Sequence, residues 1–166
     1  AGEIVIAAGG GGMPVMEQRV ALNGASAIIE KDLTSGRLAQ ELNADTLLIL
    51  TSVEKVSLNL DMDNEEFLGE ISVADAKKYM DENQFAPGSM LPKFEAGVSF
   101  VEKGDGRRTI ITDIAHAKDG VYAQQGTIIK GCFAKGTHSG VPSAHPSRWC
   151  RTGGVLLFLG MEGAPG

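Results

Sequence analysis

Two lysines in this sequence stand where a protein can hold an anion. Lys31 immediately precedes one predicted helix, and Lys93 falls in the first turns of another. A cation at a helix N-terminus faces the positive end of the helix dipole, which costs about a few tenths of a kcal/mol or more. A phosphate bound there would reverse the sign, because it satisfies both the free N–H groups and the ammonium. For either lysine alone, extension into water is the simpler interpretation.

A run of four glycines is a second candidate for contact with a ligand. It follows an apolar stretch at residues 3–8, precedes Pro14, and consists of Gly9, Gly10, Gly11 and Gly12. No Gly-Lys-Ser/Thr follows, so the run is not a P-loop, and Pro14 contradicts a dinucleotide fingerprint. Glycine content alone favours a plain strand-to-loop break over a phosphate cradle.

The elements that must position these residues alternate between strands and helices. Apolar runs predict strands at 3–8, 45–51 and 108–112, and a last strand at 126–129. Helical patterns cover 32–42, 72–82, a stretch from Met90 to Val101, and 113–121. The segment 55–60 is expected to extend the second strand or pair with it. This alternation predicts a mostly parallel α/β sheet with covered faces, whose ligands bind beyond the carboxyl ends of the strands.

Several residues near the helix starts have simpler structural interpretations. Asp32 is an N-cap candidate, and Ser89 is a possible simple cap. Ser72 and Asp75 resemble a capping box, and the stripe of Met90, Phe94, Val98 and Val101 predicts core packing. His116 stands on a short helix with no visible partner.

Bulk composition narrows the function classes. The 166 residues are enough for one domain with a core, and the net charge of −6 implies no basic face for nucleic acid. No apolar run is long enough for a bilayer and no signal peptide is evident, so a cytoplasmic protein is expected. Cys132 and Cys150 form no disulfide framework.

The composition changes near Lys130, where we predict a boundary between a domain at 1–130 and an unrelated Gly/Pro-rich tail at 131–166. The tail contains three basic residues and a single acidic one. Its cysteines and histidines match none of the common zinc spacings, so no metal site is expected; they are Cys132, His138, His145 and Cys150. The run VLLFL is expected to dock on the domain if it is ordered.

Six segments, in order, resemble the C-terminal, nucleotide-binding half of carbamate kinase in the amino acid kinase superfamily. They are GGGGMP, IIEKDLTSGRLAQELNAD, LLILTSVEKV, FAPGSMLPKFEA, IIT and GTIIK, within residues 3–130. The resemblance implies a three-layer α/β/α sandwich with a mostly parallel sheet. It also implies reversible transfer of a phosphoryl group from ATP to carbamate, giving ADP and carbamoyl phosphate, with Mg²⁺ carried by the nucleotide. A cytoplasmic role in arginine metabolism, and a homodimer in full-length relatives, follow from the same resemblance.

The resemblance also implies roles for individual residues. Lys31 matches a lysine that contacts the transferring phosphoryl group, Asp32 an aspartate that orients lysines, and Lys93 a lysine near the nucleotide phosphates. The glycine run matches a wall of the cleft where donor and acceptor meet. The expected nucleotide-binding residues are Thr51, Ser52, Val53, Gly88, Ser89 and Met90. Many relatives have aspartate at Ser52 and glycine at Leu91.

The resemblance covers one half of the family fold only. The Gly-Gly-Asn loop, a further lysine and other carbamate-site residues of the relatives' N-terminal half have no counterpart in these 166 residues. Two alternatives therefore stay open: a non-catalytic nucleotide-binding remnant, and another superfamily kinase acting on acetylglutamate or a nucleoside monophosphate. The KDL and GSMLPK segments argue against the second.

Overall fold

The structure is a computed structural model that describes residues 12–18, 21–123, 125–131 and 155–159. Its strands, in chain order, are β1 (Val15–Gln18), β2 (Ala21–Gly24), β3 (Thr46–Thr51), β4 (Ser57–Leu58), β5 (Glu66–Phe67), β6 (Glu70–Ser72), β7 (Arg108–Asp113), β8 (Thr127–Lys130) and β9 (Val155–Leu159). Its helices are α1 (Lys31–Glu41), α2 (Val73–Asp81), α3 (Met90–Glu102) and α4 (Ala117–Ala123). None of these helices is long and apolar enough to cross a membrane.

The central sheet has five strands in the order β6-β8-β7-β3-β9. Neighbouring strands are parallel except for β7 and β8, which are antiparallel. The parallel register of β3 and β7 pairs Thr46 with Arg108 at one end and Thr51 with Asp113 at the other. Thr51 and Asp113 therefore end their strands side by side at the carboxyl edge. The predicted α/β class with a mostly parallel sheet is confirmed.

Helices cover both faces of the sheet, because every residue of β3 is buried and its side chains alternate between two apolar clusters. One cluster packs β3 and β7 against α1, α2 and α3, and includes Leu47, Ile49 and Ile111. The other packs Leu48 and Ile110 against α4. The result is the expected three-layer arrangement.

The order of the elements places the starts of α1 and α3 at the carboxyl edge of the sheet. Because α3 connects two parallel neighbouring strands, it runs back along the sheet and begins where β3 and β7 end. The helix α1 enters β3 through a short connection, at residues 42–45, and packs against α3. A Cβ on Gly36 would lie 3.1 Å from the Cβ of Ala96, so the two helices approach closely at this point.

Arg107 joins the opposite ends of the same two helices. Its guanidinium donates to the carbonyl oxygen of Gln40 (3.4 Å) and to Asn43 Oδ1 (3.2 Å) at the end of α1. It also donates to the carbonyl oxygen of Phe100 in α3 at 3.5 Å, and lies 5.0 Å from the centre of that ring. The C-terminal ends of α1 and α3 are thus held by one side chain.

Three of the predicted helices are confirmed in position, whereas the helix predicted at 113–121 begins only at Ala117, because Asp113 still belongs to β7. The helix α2 begins as expected, since Ser72 Oγ accepts the N–H of Asp75 at 3.1 Å. The prediction of Asp32 as an N-cap is wrong: Glu30 occupies that position, and the Asp32 side chain turns into the core toward a buried lysine. Ser89 is the N-cap residue of α3, but its side chain makes no capping bond.

The strand predictions need two corrections. The segment 55–60 does not join the central sheet, because β4 pairs antiparallel with β5. The strand β8 is not the last strand of the chain, because β9 follows it and pairs with β3 in parallel register, on the side opposite β7. Among the described strands, the apolar run VLLFL thus stands at one end of the sheet, and it lies beyond the predicted boundary at Lys130. The predicted strand at 3–8 lies outside the described residues.

Close packing of α3 on β7 gives a test of the fold. A Cβ on Gly97 would lie 2.8 Å from Thr109 Cγ2, so Gly97→Ala must displace a buried contact. Overpacking costs about 1–3 kcal/mol, and the better helix propensity of alanine returns roughly 1 kcal/mol. We expect a net decrease of about 1 kcal/mol in the free energy of unfolding, measured by urea denaturation.

Two variants serve as controls for this effect. Thr109→Ser removes Cγ2 and keeps the hydroxyl that donates to the Gly97 carbonyl oxygen, so Gly97→Ala should cost less in that background. Gly69→Ala is matched, because nothing lies within 4 Å of a Cβ there. Equal losses at Gly97 and Gly69 would contradict the packing argument.

Candidate functional site

The centre of the candidate site is the carboxylate of Asp32, which lies between two ammonium groups. Asp32 Oδ2 is 3.8 Å from Lys31 Nζ and 3.5 Å from Lys93 Nζ. Because the same oxygen lies near both ammonium groups, the separation of Lys31 Nζ and Lys93 Nζ is at most the sum of these two distances. Residues from α1 and α3, separated by about sixty positions in sequence, therefore form one cluster.

The two lysines of this cluster differ in exposure. The side chains of Asp32 and Lys93 are each 1% exposed, whereas that of Lys31 is 30% exposed. Lys93 Nζ also donates to the carbonyl oxygen of Ser89 at 3.2 Å, which fixes it within the first turn of α3. Lys31 is flanked by Glu30 at 3.8 Å and is the cation that a ligand reaches from solvent.

Opposing effects set the charge of Asp32. Burial raises the pKa of Asp32, while the positive charges of Lys93 and then Lys31 act to lower it. The net direction is upward, so the two lysines only partly offset the desolvation of the Asp32 carboxylate. A buried group in this position is stabilised further by any cation or donor that a ligand brings.

The starts of α1 and α3 differ in the backbone N–H groups that they offer to an anion. In α3 the Leu91 N–H donates to the Ala86 carbonyl oxygen at 3.0 Å and Pro92 has no N–H. Neither Glu30 nor Ser89 makes a side-chain capping bond, whereas the N-cap of α2, away from this edge, does. The first N–H groups of a helix have no partner within the helix and carry partial positive charge. Two uncapped helix starts beside two ammonium groups form an electropositive site suited to phosphate.

Three buried side-chain oxygens have no hydrogen-bond partner among the residues that the structure describes: Asp32 Oδ1, Thr51 Oγ1 and Thr112 Oγ1. A buried polar atom without a partner costs about 1–3 kcal/mol, so it needs an explanation. Two of the three belong to the candidate site. Asp32 Oδ1 is in the cluster itself, and Thr51 ends β3 on the face that α1 and α3 cover.

The structure brings together some of the predicted site residues and leaves others apart or undescribed. Lys31, Asp32, Lys93 and Ser89 are in contact. Thr51 ends β3 at the same edge and leads directly into Ser52 and Val53, which are exposed to solvent. Gly88 is exposed, with nothing within 4 Å of a Cβ, and Met90 packs partly into the core.

Of the glycine run, only Gly12 falls within the described ranges. A Cβ there would make ordinary contact with Ile29 at 3.5 Å, so packing against the described residues does not require glycine at this position. Gly9, Gly10 and Gly11 lie outside the described residues, as do Cys132, His138, His145 and Cys150. In the part of the chain that is described, no group of three or more His, Cys, Asp or Glu side chains could hold a metal ion.

One pair of interacting side chains at the carboxyl edge of the sheet is missed by the sequence analysis. His116, expected to have no partner, lies with its Nδ1 2.7 Å from Asp113 Oδ1, at the end of β7. The same oxygen accepts the backbone N–H of His116 at 2.7 Å. An Asp-x-x-His spacing directly after a buried strand was the available signal, because residues three apart on a turn face one another.

Comparison with known proteins agrees with this geometry. Residues 1–113 match the amino acid kinase family. The chain belongs to this family. The matched residues include α1, β3, α3 and β7, the elements that carry the Asp32 cluster and the carboxyl ends of the two central strands.

Several amino acid kinase relatives are carbamate kinases by name. The chain is 48% identical over 129 residues to the carbamate kinase-like protein YqeA of Escherichia coli, covering 78% of this chain and 42% of that protein. It is 45% identical over 126 residues to carbamate kinase 2 of Staphylococcus aureus, with 76% and 40% covered. The chain thus spans about two fifths of the length of the curated relatives it matches.

Solved structures show the same partial match. The carbamate kinase of Giardia lamblia bound to AMP-PNP superimposes with a TM-score of 0.70 at 35% identity. The superposition covers 74% of this chain and 39% of the Giardia protein. The fold of the described part is therefore that of a segment of a carbamate kinase.

The buried ion pair gives a stability prediction. Lys93→Met leaves the Asp32 carboxylate buried beside the half-exposed Lys31 only, and breaking a buried pair on one side costs about 3–5 kcal/mol. Replacing both partners, in Asp32→Leu/Lys93→Met, should recover most of that loss, because well-packed apolar residues substitute for buried pairs. Urea denaturation of the three proteins measures the difference.

The loss should also depend on pH. Since burial raises the pKa of Asp32 and Lys93→Met removes the main opposing charge, the variant should regain stability as the pH falls and Asp32 takes up a proton. Lys77→Met is the control, because it breaks the exposed pair with Glu102 and should cost less than about 1 kcal/mol. A loss at Lys93 no larger than at Lys77 would be evidence against a structural role of the buried pair.

Proposed function

We propose that this chain carries the nucleotide side of a carbamate kinase, which transfers a phosphoryl group reversibly between ATP and carbamate. The products are ADP and carbamoyl phosphate, and Mg²⁺ enters with the nucleotide. The observation that carries the proposal is the sharing of Asp32 Oδ2 by two ammonium groups at two uncapped helix starts. The carbamate kinase names of the relatives support it.

The proposed roles follow the exposure of each group. Lys31, which solvent reaches, contacts the transferring phosphoryl group, and Lys93, which is buried and fixed by Ser89, holds positive charge beneath the nucleotide phosphates. Asp32 orients both lysines. The nucleotide is bound by the ends of β3 and the approach to α3, at Thr51, Ser52, Val53, Gly88, Ser89 and Met90, and the wall of the cleft is formed by Gly9, Gly10, Gly11 and Gly12.

These residues would act by position and charge. In phosphoryl transfer an acceptor oxygen forms a bond to the γ-phosphorus while the bond to the β–γ bridging oxygen breaks, and charge spreads over the equatorial oxygens. Fixed ammonium groups and helix N–H groups stabilise that charge without reorganising, since the surrounding protein already holds them in place. Asp32 would prevent the two lysines from repelling each other before the nucleotide binds.

One observation favours a second candidate, a nucleotide-binding module without turnover. The chain spans about two fifths of its relatives, and the resemblance assigns carbamate-binding residues to the other half of the fold. Under either candidate the chain binds ATP and ADP. We propose a cytoplasmic protein of arginine metabolism, and a homodimer when the whole family fold is present, on the strength of the resemblance alone.

Binding and turnover assays separate the candidates. We expect ATP and ADP to bind by calorimetry, because the two ammonium groups and two helix starts all favour a polyphosphate. Formation of ATP from ADP and carbamoyl phosphate identifies the enzyme, and binding without turnover identifies the module. A chain that binds neither nucleotide would contradict both.

Lys31 gives a sharper test that does not depend on turnover. Because its proposed contact is the transferring phosphoryl group, Lys31→Ala should weaken ATP binding more than ADP binding. Where the chain is active, turnover should fall on the order of 10²–10³-fold. Lys78→Ala is the matched control, since its exposed side chain on α2 makes, within the described ranges, only a 3.8 Å pair with Glu82 just after the helix. Equal effects of Lys31→Ala on both nucleotides would remove the assigned role.

A further inference from the structure

The His116–Asp113 pair lies beside the proposed nucleotide loop. Asp113 is the register partner of Thr51, so it sits next to the point where β3 leads into Ser52 and Val53. Asp113 Oδ1 accepts both the backbone N–H and the ring nitrogen of His116 at 2.7 Å. The His116 side chain is 36% exposed, so solvent reaches it.

Carboxylates from three elements act electrostatically on this imidazole. They are Asp113 at the end of β7, Glu54 in the loop after β3, and Asp119 on α4. All three act to raise the pKa of His116, with the hydrogen bond that Asp113 accepts the largest cause, against a smaller lowering by burial. The N–H of His116 holds the pKa of Asp113 below its ordinary value, so Asp113 stays charged at neutral pH.

This arrangement presents an electrostatic problem for the proposed ligand. A nucleotide polyphosphate approaching the end of β3 meets three negative groups, and Glu54 is only three residues beyond Thr51. With a neutral imidazole these carboxylates repel the ligand. With an imidazolium, one negative charge is cancelled and a further N–H donor becomes available.

We propose that His116, held by Asp113, is a positioning residue for the nucleotide, whose imidazolium offsets the carboxylates of Asp113, Glu54 and Asp119 beside the loop after β3. This inference rests on the proposed function, because it names a further determinant of the same site. It predicts that the affinity for nucleotide depends on the protonation of one side chain. The competing interpretation is purely structural: Asp113 and His116 form a turn that starts α4.

The direction in which the pKa of His116 is shifted determines how nucleotide affinity changes with pH. Because the charged form of His116 is favoured, nucleotide affinity is highest at low pH and falls as the pH rises through the raised pKa of His116. By linkage, bound polyphosphate raises that pKa further. Asp113 stays ionised over this range and adds no dependence of its own.

The test measures ATP and ADP affinity by calorimetry between pH 6 and 8.5 for the full chain and three variants. His116→Asn keeps a polar side chain without the charge, and should have at pH 6 the weak affinity that the original chain has at pH 8.5. We expect that difference to be on the order of fivefold, the lower end of usual coupling between bound groups. His116→Arg, which keeps the cation, should retain the low-pH affinity throughout.

Glu54→Gln removes one repelling charge and should strengthen binding at pH 8.5, with Asp81→Asn on α2 as its matched control. Titration of the ligand itself, and of the other histidines, is common to all variants and cancels in the comparison. Thermal unfolding of each variant establishes that it is folded at both pH values.

The outcomes separate this inference from the proposed function. If the original chain binds neither nucleotide at any pH, the proposed function fails. If it binds them with the same pH profile as His116→Asn, and His116→Arg has no effect at high pH, then His116 only starts α4 and the inference is overturned.

Discussion

The carboxylate of Asp32 is the group on which the candidate site depends. Three charges in or near the core, contributed by Lys31, Asp32 and Lys93, would be expensive to bury separately, because each loses its hydration. Arranged around one oxygen, they offset one another in part, and the incomplete offset is visible in the raised pKa of Asp32. Buried charge clusters seldom stabilise a protein more than apolar packing would, so the presence of this one points to a chemical role.

Backbone packing makes this cluster possible. The Asp32 side chain reaches Lys93 only because α1 and α3 approach closely, and they do so where Gly36 faces Ala96 with no room for a larger side chain. Gly36 lies one helical turn beyond Asp32, and Ala96 one turn beyond Lys93. Small residues therefore stand directly behind each charged one. The parallel sheet then determines where the cluster lies, because both helices must start at the carboxyl edge.

Sequence patterns predicted the regular elements well, and single side chains poorly. The buried strands β3 and β7 and the apolar stripe of α3 were evident because hydrophobic periodicity is a property of many residues together. Asp32 was misassigned as a cap, since Asp in a first helical turn suits that role in most proteins, and its partner lies sixty residues away. The pairing of β9 with β3 likewise depends on the three-dimensional arrangement of distant segments, which no local pattern contains. The Asp113–His116 pair, in contrast, is local, and its Asp-x-x-His spacing was available in the sequence.

The two helices of the site are joined at both ends. At their starts the link is Asp32 to Lys93, and at their far ends Arg107 bridges Gln40, Asn43 and Phe100. Two helices that are linked at both ends cannot hinge or slide independently of each other. If nucleotide binding closes the cleft, α1 and α3 would shift as one rigid body, and the flexing would fall to the connections on either side of them.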